Sequence, residues 1–221
     1  MSAVGEGVDL AADKARALAL TPVSRETEKR LDVFVALLLE RQQRQNLIAS
    51  STIPQIWTRH VADSLQLLPI APEAKVWADF GSGGGFPGIP LACALADKPG
   101  TMVHLIESVG KKANFLREAV QATGVAATIH QMRAENFAES CGEDIAVVTA
   151  RALSPLKTLC GQVFPLIAKG AIGLFLKGQD VDAELTEAAK YWTIDVTKVP
   201  SVTSREGQIL VVRRLSKRKP A

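Results

Sequence analysis

The sequence holds three cysteines, Cys93, Cys141 and Cys160, odd in number, far apart and never in a Cys-x-x-Cys pair. That excludes a disulfide framework and a thiolate zinc site, and it points to a reducing compartment. No basic n-region followed by an apolar stretch opens the chain, and no apolar run of membrane-spanning length occurs in it. Neither a signal peptide nor a membrane span is therefore expected, and the expected location is cytoplasmic. An excess of one charge is lacking too: 26 Lys and Arg against 23 Asp and Glu leave a net +3. Composition alone thus announces no nucleic-acid partner. Internal repeats and low-complexity tracts are absent. What is present is ample apolar content, 47% of 221 residues, enough for one large packed domain with or without an extension.

The chain is organised around residues 76–90, where a short apolar run ends in Asp79 and is followed by Gly81, Gly83, Gly84, Gly85 and Gly88. This reads as a buried parallel strand turning through glycines into a helix, with Pro87 or Pro90 in its first turn. Glycine supplies positive φ there and lets a ligand lie against bare backbone. Gly83-x-Gly85-x-x-Gly88 matches the dinucleotide fingerprint, whose helix N-terminus holds a pyrophosphate. The other register, Asp79-x-Gly81-x-Gly83-x-Gly85, sets a carboxylate two residues before the first glycine. That carboxylate either accepts from a ligand amine or orders the loop; it suits a cationic ligand such as S-adenosylmethionine and opposes a pyrophosphate. No Gly-Lys-Ser/Thr follows the glycines, so the P-loop reading falls.

Upstream, apolar spacing predicts a helix over 8–20, a longer one from Ser24 to about Gln45, and a third from near Pro54 capped by Ser51 or Thr52. Downstream, the pattern predicts strands near 75–80, 101–107, 125–130, 144–150, 171–177, 191–199 and 208–214. Helices are expected near 88–96, 110–123, 154–168 and 180–190. Strand–helix alternation means a parallel sheet with helices on both faces. The last two strands have only Pro200–Gly207 between them, which predicts an antiparallel pair at one edge. The expected fold is therefore α/β: the Rossmann-like, seven-stranded sheet of class I S-adenosylmethionine-dependent methyltransferases, not the six parallel strands of a nicotinamide-binding domain. The expected organisation is a helical cap over 1–70, a methyltransferase domain over 71–215 and a basic tail over 216–221.

Ligands in an open parallel sheet sit beyond the carboxyl ends of the strands. The second strand ends in Glu107, about 25 residues past the glycines, where a carboxylate accepts from both ribose hydroxyls. The third is followed by Arg133, Ala134 and Glu135, where related folds hold adenine. The fourth ends in Arg151, which needs a phosphate, a carboxylate, a guanine O6 or an internal acid as partner, and the fifth ends in Lys177. No Asp/Asn-Pro-Pro-Tyr/Phe tetrad follows the fourth strand and no Pro-Cys occurs. Exocyclic amine methylation and thiolate-assisted carbon methylation are both disfavoured.

Asp79–Pro90, Glu107–Lys112 with Phe115-Leu116, Ala134-Glu135, Thr149–Ala152 and Leu176–Gly178 resemble the motifs of the glucose-inhibited division protein B family. Asn46-Leu47 and Arg59-His60 with Asp63-Ser64-Leu65 resemble its N-terminal signature, so the likeness runs from about 25 to 214. Departures are Glu107 where the family often has Asp, Thr149-Ala150 where a Ser often precedes the Arg, and a longer N-terminal segment.

The resemblance implies methylation of guanine N7 in the 530 loop of 16S ribosomal RNA, at guanine 527, with S-adenosylmethionine as cofactor. The partner would be 16S ribosomal RNA or the small subunit; the residues themselves leave the oligomeric state open, with a monomer favoured. Cofactor contacts are expected at Asp79, Gly81, Gly83, Gly85, Phe86, Glu107, Ala134, Glu135 and Arg151. Arg151 and Arg133 are expected to serve catalysis by holding phosphate or O6, and Arg59, His60 and Lys177 to bind substrate; no metal is expected. The rival readings are a small-molecule or protein methyltransferase and a nicotinamide-dependent oxidoreductase. The absence of a Tyr-x-x-x-Lys tells against the last.

Overall fold

A computed structural model of the chain describes residues 9–218. Two regular helices come first, α1 (Leu10–Leu20) and α2 (Arg25–Gln42). Helix α2 starts where expected because the Ser24 side chain accepts from the amide of Thr27 at 3.1 Å, with Glu26 and Glu28 in the positive first turn. Its buried face carries Leu31, Phe34, Val35 and Leu38. The expected third helix is instead a composite: a 3₁₀ segment over Ser50–Gln55, a π segment over Trp57–Ala62 and one α turn, α3 (Asp63–Leu65). Neither Ser51 nor Thr52 caps it, and Pro54 lies inside the 3₁₀ segment.

The rest is a seven-stranded sheet: β1 (Val76–Phe80), β2 (Met102–Ile106), β3 (Ala127–His130), β4 (Val147–Arg151), β5 (Ile172–Lys177), β6 (Trp192–Pro200) and β7 (Gln208–Lys217). The order is β3-β2-β1-β4-β5-β7-β6, with β7 antiparallel to both neighbours and every other pairing parallel. This is the predicted fold class. The chain reverses direction across the sheet between β1 and β4, so the crevice beyond their carboxyl ends is the topological switch point. Strand β7 runs to Lys217, past the expected boundary at 215, and of the predicted tail residues 219–221 lie outside those described.

Helices α4 (Gly88–Leu95), α5 (Gly110–Thr123), α6 (Ala134–Ser140), α7 (Leu156–Ala168) and α8 (Val181–Ala188) cover the sheet. Side chains alternate along β1 as a two-residue period requires. Trp77 packs in one core with the cap, α4 and α5, whereas Ala78 and Phe80 pack in the other with α6, α7 and α8. Phe34, Trp57 and Val61 of the cap share that first core with Leu105, Val147 and Leu174 of the sheet. The cap is thus pinned to one face rather than hung beside it.

Candidate active site: two cavities that meet at Ala152

Asp79 is the penultimate residue of β1 and is 1% exposed. Its Oδ1 accepts from Thr149 Oγ1 at 3.0 Å, its register partner on β4, and its Oδ2 from the amide of Gly88 at 3.1 Å. Burial pushes its pKa up to about 6 against those bonds. Of the two roles open to it, the carboxylate fills that of ordering the loop: it ties the end of the strand to the start of α4 and lines neither cavity. Gly88 must lack a side chain for this, since a Cβ would stand 2.2 Å from Leu105 and 2.8 Å from the carboxylate. Gly85 likewise faces inward, where a Cβ would meet the Phe34 ring at 2.9 Å.

A cleft of about 260 Å³ opens beyond β1 and β2. Gly81, Gly83, Glu107, Ala134 and Glu135 line it, as expected, together with Ile106, Lys112, Leu153 and Gln162. Glu107 is buried; one oxygen accepts from the Gly83 amide at 2.9 Å and the other from Val109 at 2.7 Å. A carboxylate has about four lone-pair sites, so two remain to face the cleft. Glu135 accepts from Gln162 at 2.8 Å, a bond that holds its carboxyl below the usual range. Arg133 lines this cleft and not the cavity that contains Arg151, because it leads into α6 from β3. Its expected pairing with Arg151 on one acceptor group does not match that placement.

The second cavity, about 810 Å³, lies beyond β4 and β5. Arg59, His60, Arg151 and Lys177, the expected substrate-side residues, all line it. The Arg151 guanidinium donates to the Arg59 carbonyl at 3.0 Å and to Nδ1 of His60, and lies 3.5 Å from Asp63. It also stands over the Phe86 ring, 5.4 Å from the centroid, and the His60 ring packs on Phe86 at 4.8 Å. Phe86 is thus buried beneath Arg151 and His60 and lines neither space, while Arg151 lines the larger cavity and not the smaller cleft. His60 donates through Nε2 to Thr52 Oγ1 at 2.8 Å. Burial, then Arg151 and Arg59, pull its pKa down to about 3, which keeps the ring neutral. Lys177 is no free cation: it donates to Glu184 at 2.8 Å and to the Ser154 carbonyl at 3.1 Å. Arg59 is exposed and lines the space.

Among the described residues only Ala152 borders both cavities. It is the one non-glycine residue with positive φ among the described residues, at 50°, a conformation that costs about 1–3 kcal/mol. Sequence reasoning missed this strained ridge, and it missed Leu153, Gln162 and the wall formed by Ser201–Gln208. The wall is tied to the cap by Thr203 donating to Asp63 at 2.7 Å and by Val202 donating to Gln66 at 2.9 Å. The serines and threonine between the last two strands were its only visible signal.

An O-methyltransferase from Bacillus cereus, solved in complex with SAH, superposes with a TM-score of 0.58 at 14% identity, covering 91% of this chain and 96% of that one. That likeness establishes the fold. A relative from Bradyrhizobium sp. (strain ORS 278), named ribosomal RNA small subunit methyltransferase G, is 57% identical over 210 residues, 95% of each chain. One of the same name from Nitrobacter hamburgensis is 59% identical over 208 residues, 94% of this chain and 80% of its own. The profile of the family described as rRNA small subunit methyltransferase G matches residues 27–213, and the chain belongs to that family.

Proposed function

We propose that this protein transfers the methyl group of S-adenosylmethionine to N7 of a guanine in small-subunit ribosomal RNA, acting as a cytoplasmic monomer. The finer assignment is guanine 527 of the 530 loop, in 16S RNA or the small subunit. The observation that carries the reading is the pair of cavities meeting at Ala152, one lined by a buried carboxylate and positive-φ glycines, the other by arginines.

The smaller cleft fits a nucleoside: Glu107 has lone pairs left for two ribose hydroxyls, and Ala134 and Glu135 stand where an adenine edge would lie. The cofactor supplies a methyl group on a sulfonium, an electrophile that a neutral lone pair attacks without prior deprotonation. The larger cavity suits such an acceptor. His60 is neutral with both ring nitrogens engaged, Asp63 is bonded to Thr203 and Gln66 beside Arg151, and Glu184 is held by Lys177. Cys93 and Cys160 have thiols pushed up to about 12 by burial, and no cysteine lines either cavity among the described residues. Covalent catalysis by thiolate is thereby disfavoured.

Guanine N7 brings its own in-plane lone pair and needs neither base nor nucleophile. What it needs is in-line placement without water, and orientation of that kind is worth ~7–11 kcal/mol in favourable systems. Arg151 and Arg59 would hold phosphate or O6 and leave N7 free. The test is borohydride–aniline mapping of N7-methylguanine in ribosomal RNA from cells with and without the gene. One cleavage site in 16S RNA should vanish with the gene; an unchanged map would sink the assignment.

A further inference from the structure

We propose that Asp13 is a positioning residue for the acceptor cavity: from α1 it holds the Trp57–Ala62 segment in the wide turn that sets Arg59 and His60 against Arg151. Helix α1 lies wholly before residue 27, where the family match begins. This inference rests on the reading of Arg151 given above.

The need for Asp13 comes from the backbone. A 3₁₀ ladder closes at Gln55 and a π ladder opens at Trp57, and amides at the start of a helical segment have no partner in that segment. No side chain of the segment itself caps it. The Asp13 carboxylate, 2% exposed, reaches across from α1 and does so. Its Oδ2 accepts from the amides of Trp57 at 2.8 Å and Thr58 at 3.3 Å, and its Oδ1 from Thr58 Oγ1 at 2.5 Å.

Changing ladder at that point rotates every later side chain relative to an unbroken α-helix, and such π insertions recur at functional sites. Here the next two residues, Arg59 and His60, supply the carbonyl and the ring nitrogen that receive the Arg151 guanidinium. Asp13 also has a firm base. Its neighbour Lys14 pairs with Glu28 at 2.8 Å and Asp32 at 2.6 Å on α2, and its ammonium lies 5.1 Å from the centroid of the Trp57 ring. Asp13 touches neither cavity and therefore acts only through the turn.

The test uses the full chain and the variants Asp13→Ala, Asp13→Asn and Thr58→Val, with three readouts: affinity for S-adenosylhomocysteine, methyl-transfer kinetics on 16S RNA, and the ¹⁵N resonances of the His60 ring. Asp13→Ala should keep its affinity for the thioether within about twofold, lose kcat by about 10- to 100-fold through misplacement of the acceptor side, and shift the His60 resonances. Asp13→Asn should restore the rate to within about threefold, because the amide oxygen still accepts both amides and its NH₂ donates to Thr58 Oγ1. Wild-type kcat in Asp13→Ala would overturn the proposal. So would a parallel loss of cofactor affinity with His60 resonances unmoved.

If Asp13→Ala does not fold, Thr58→Val decides, since it removes a single bond: an unchanged rate and unchanged His60 signals would again overturn it. Should the wild-type protein methylate no RNA while Asp13→Ala still moves the His60 resonances, the acceptor assignment fails and the positioning geometry stands.

Discussion

The guanidinium of Arg151 donates to Nδ1 of His60, and Nε2 of the same ring donates to Thr52 Oγ1 at 2.8 Å. The two bonds select one tautomer of a neutral imidazole, and the cation alongside opposes a second proton. With the folded pKa pulled down to about 3 against about 6.5 in the unfolded chain, this residue stabilises the fold above pH 6.5. Its contribution is lost as pH falls through the window toward 3. Ring ¹⁵N shifts at pH 5.5 should report an uncharged, Nε2-protonated His60; an imidazolium signal there would mean the Arg151 contact does not persist in solution.

Arg151→Lys keeps the charge and loses the fork. A compact ammonium on a shorter arm does not reproduce the two spaced nitrogens that reach the Arg59 carbonyl, His60 and Asp63. Turnover on 16S RNA should fall by roughly 100-fold or more, with affinity for S-adenosylhomocysteine unaltered because Arg151 is absent from the smaller cleft. Retained turnover would show that Arg151 only braces the cap.

Asp79→Asn should alter how stability depends on pH. A folded pKa of about 6 against about 3.9 unfolded means Asp79 stabilises fully below pH 4, and that contribution is lost as pH rises through 6. The melting temperature of the variant relative to wild type should therefore climb between pH 4 and pH 7. A constant offset across that range would place the Asp79 pKa back at its ordinary value.

Glu107→Gln keeps an oxygen for one of the amides of Gly83 and Val109 but loses the charge. Hydrogen bonds to a charged group contribute about 1.5–3 kcal/mol, so titration calorimetry should show S-adenosylhomocysteine binding weakened by about 10- to 100-fold. Undiminished binding would move the ribose elsewhere.

Gly88→Ala tests packing without touching chemistry. The added methyl meets Leu105 and Asp79 well inside contact distance, and overpacking of this kind costs about 1–3 kcal/mol. For a domain this size that is a fall of roughly 3 to 10 °C in melting temperature; no fall would mean the bend yields more easily than its bonds to Asp79 suggest.

The sheet was legible because each strand carries its own period and its own boundary. The expected strand at 208–214 and the observed Gln208–Lys217 share a start and differ only at the open end. Helix α5 matches the expected 110–123 residue for residue, closed by Gly124 at φ 64°. Helix α6 was missed because seven residues with three of them buried give too short a run to show a period. The broken third helix was missed because its cause, the Asp13 carboxylate, is 44 residues away from Trp57 in sequence.

Site residues followed the same division. Glu107 and Arg151 were singled out from their places at strand ends, which is local information. Thr149 lies 70 residues from Asp79 in the chain, and Glu184 meets Lys177 only because the chain turns back from the end of β5 into α8, so which charges were engaged inside the fold was not readable.

Ala152 leaves a single residue's thickness between the two chambers. A compound that passes over it, an adenosine tethered to a purine by a few atoms, would lodge one end on each side. Its tether would act as a high local concentration, adding avidity that neither half has alone. The protein thus sets out, in the width of one alanine, the length of the linker that an inhibitor built on both halves would require.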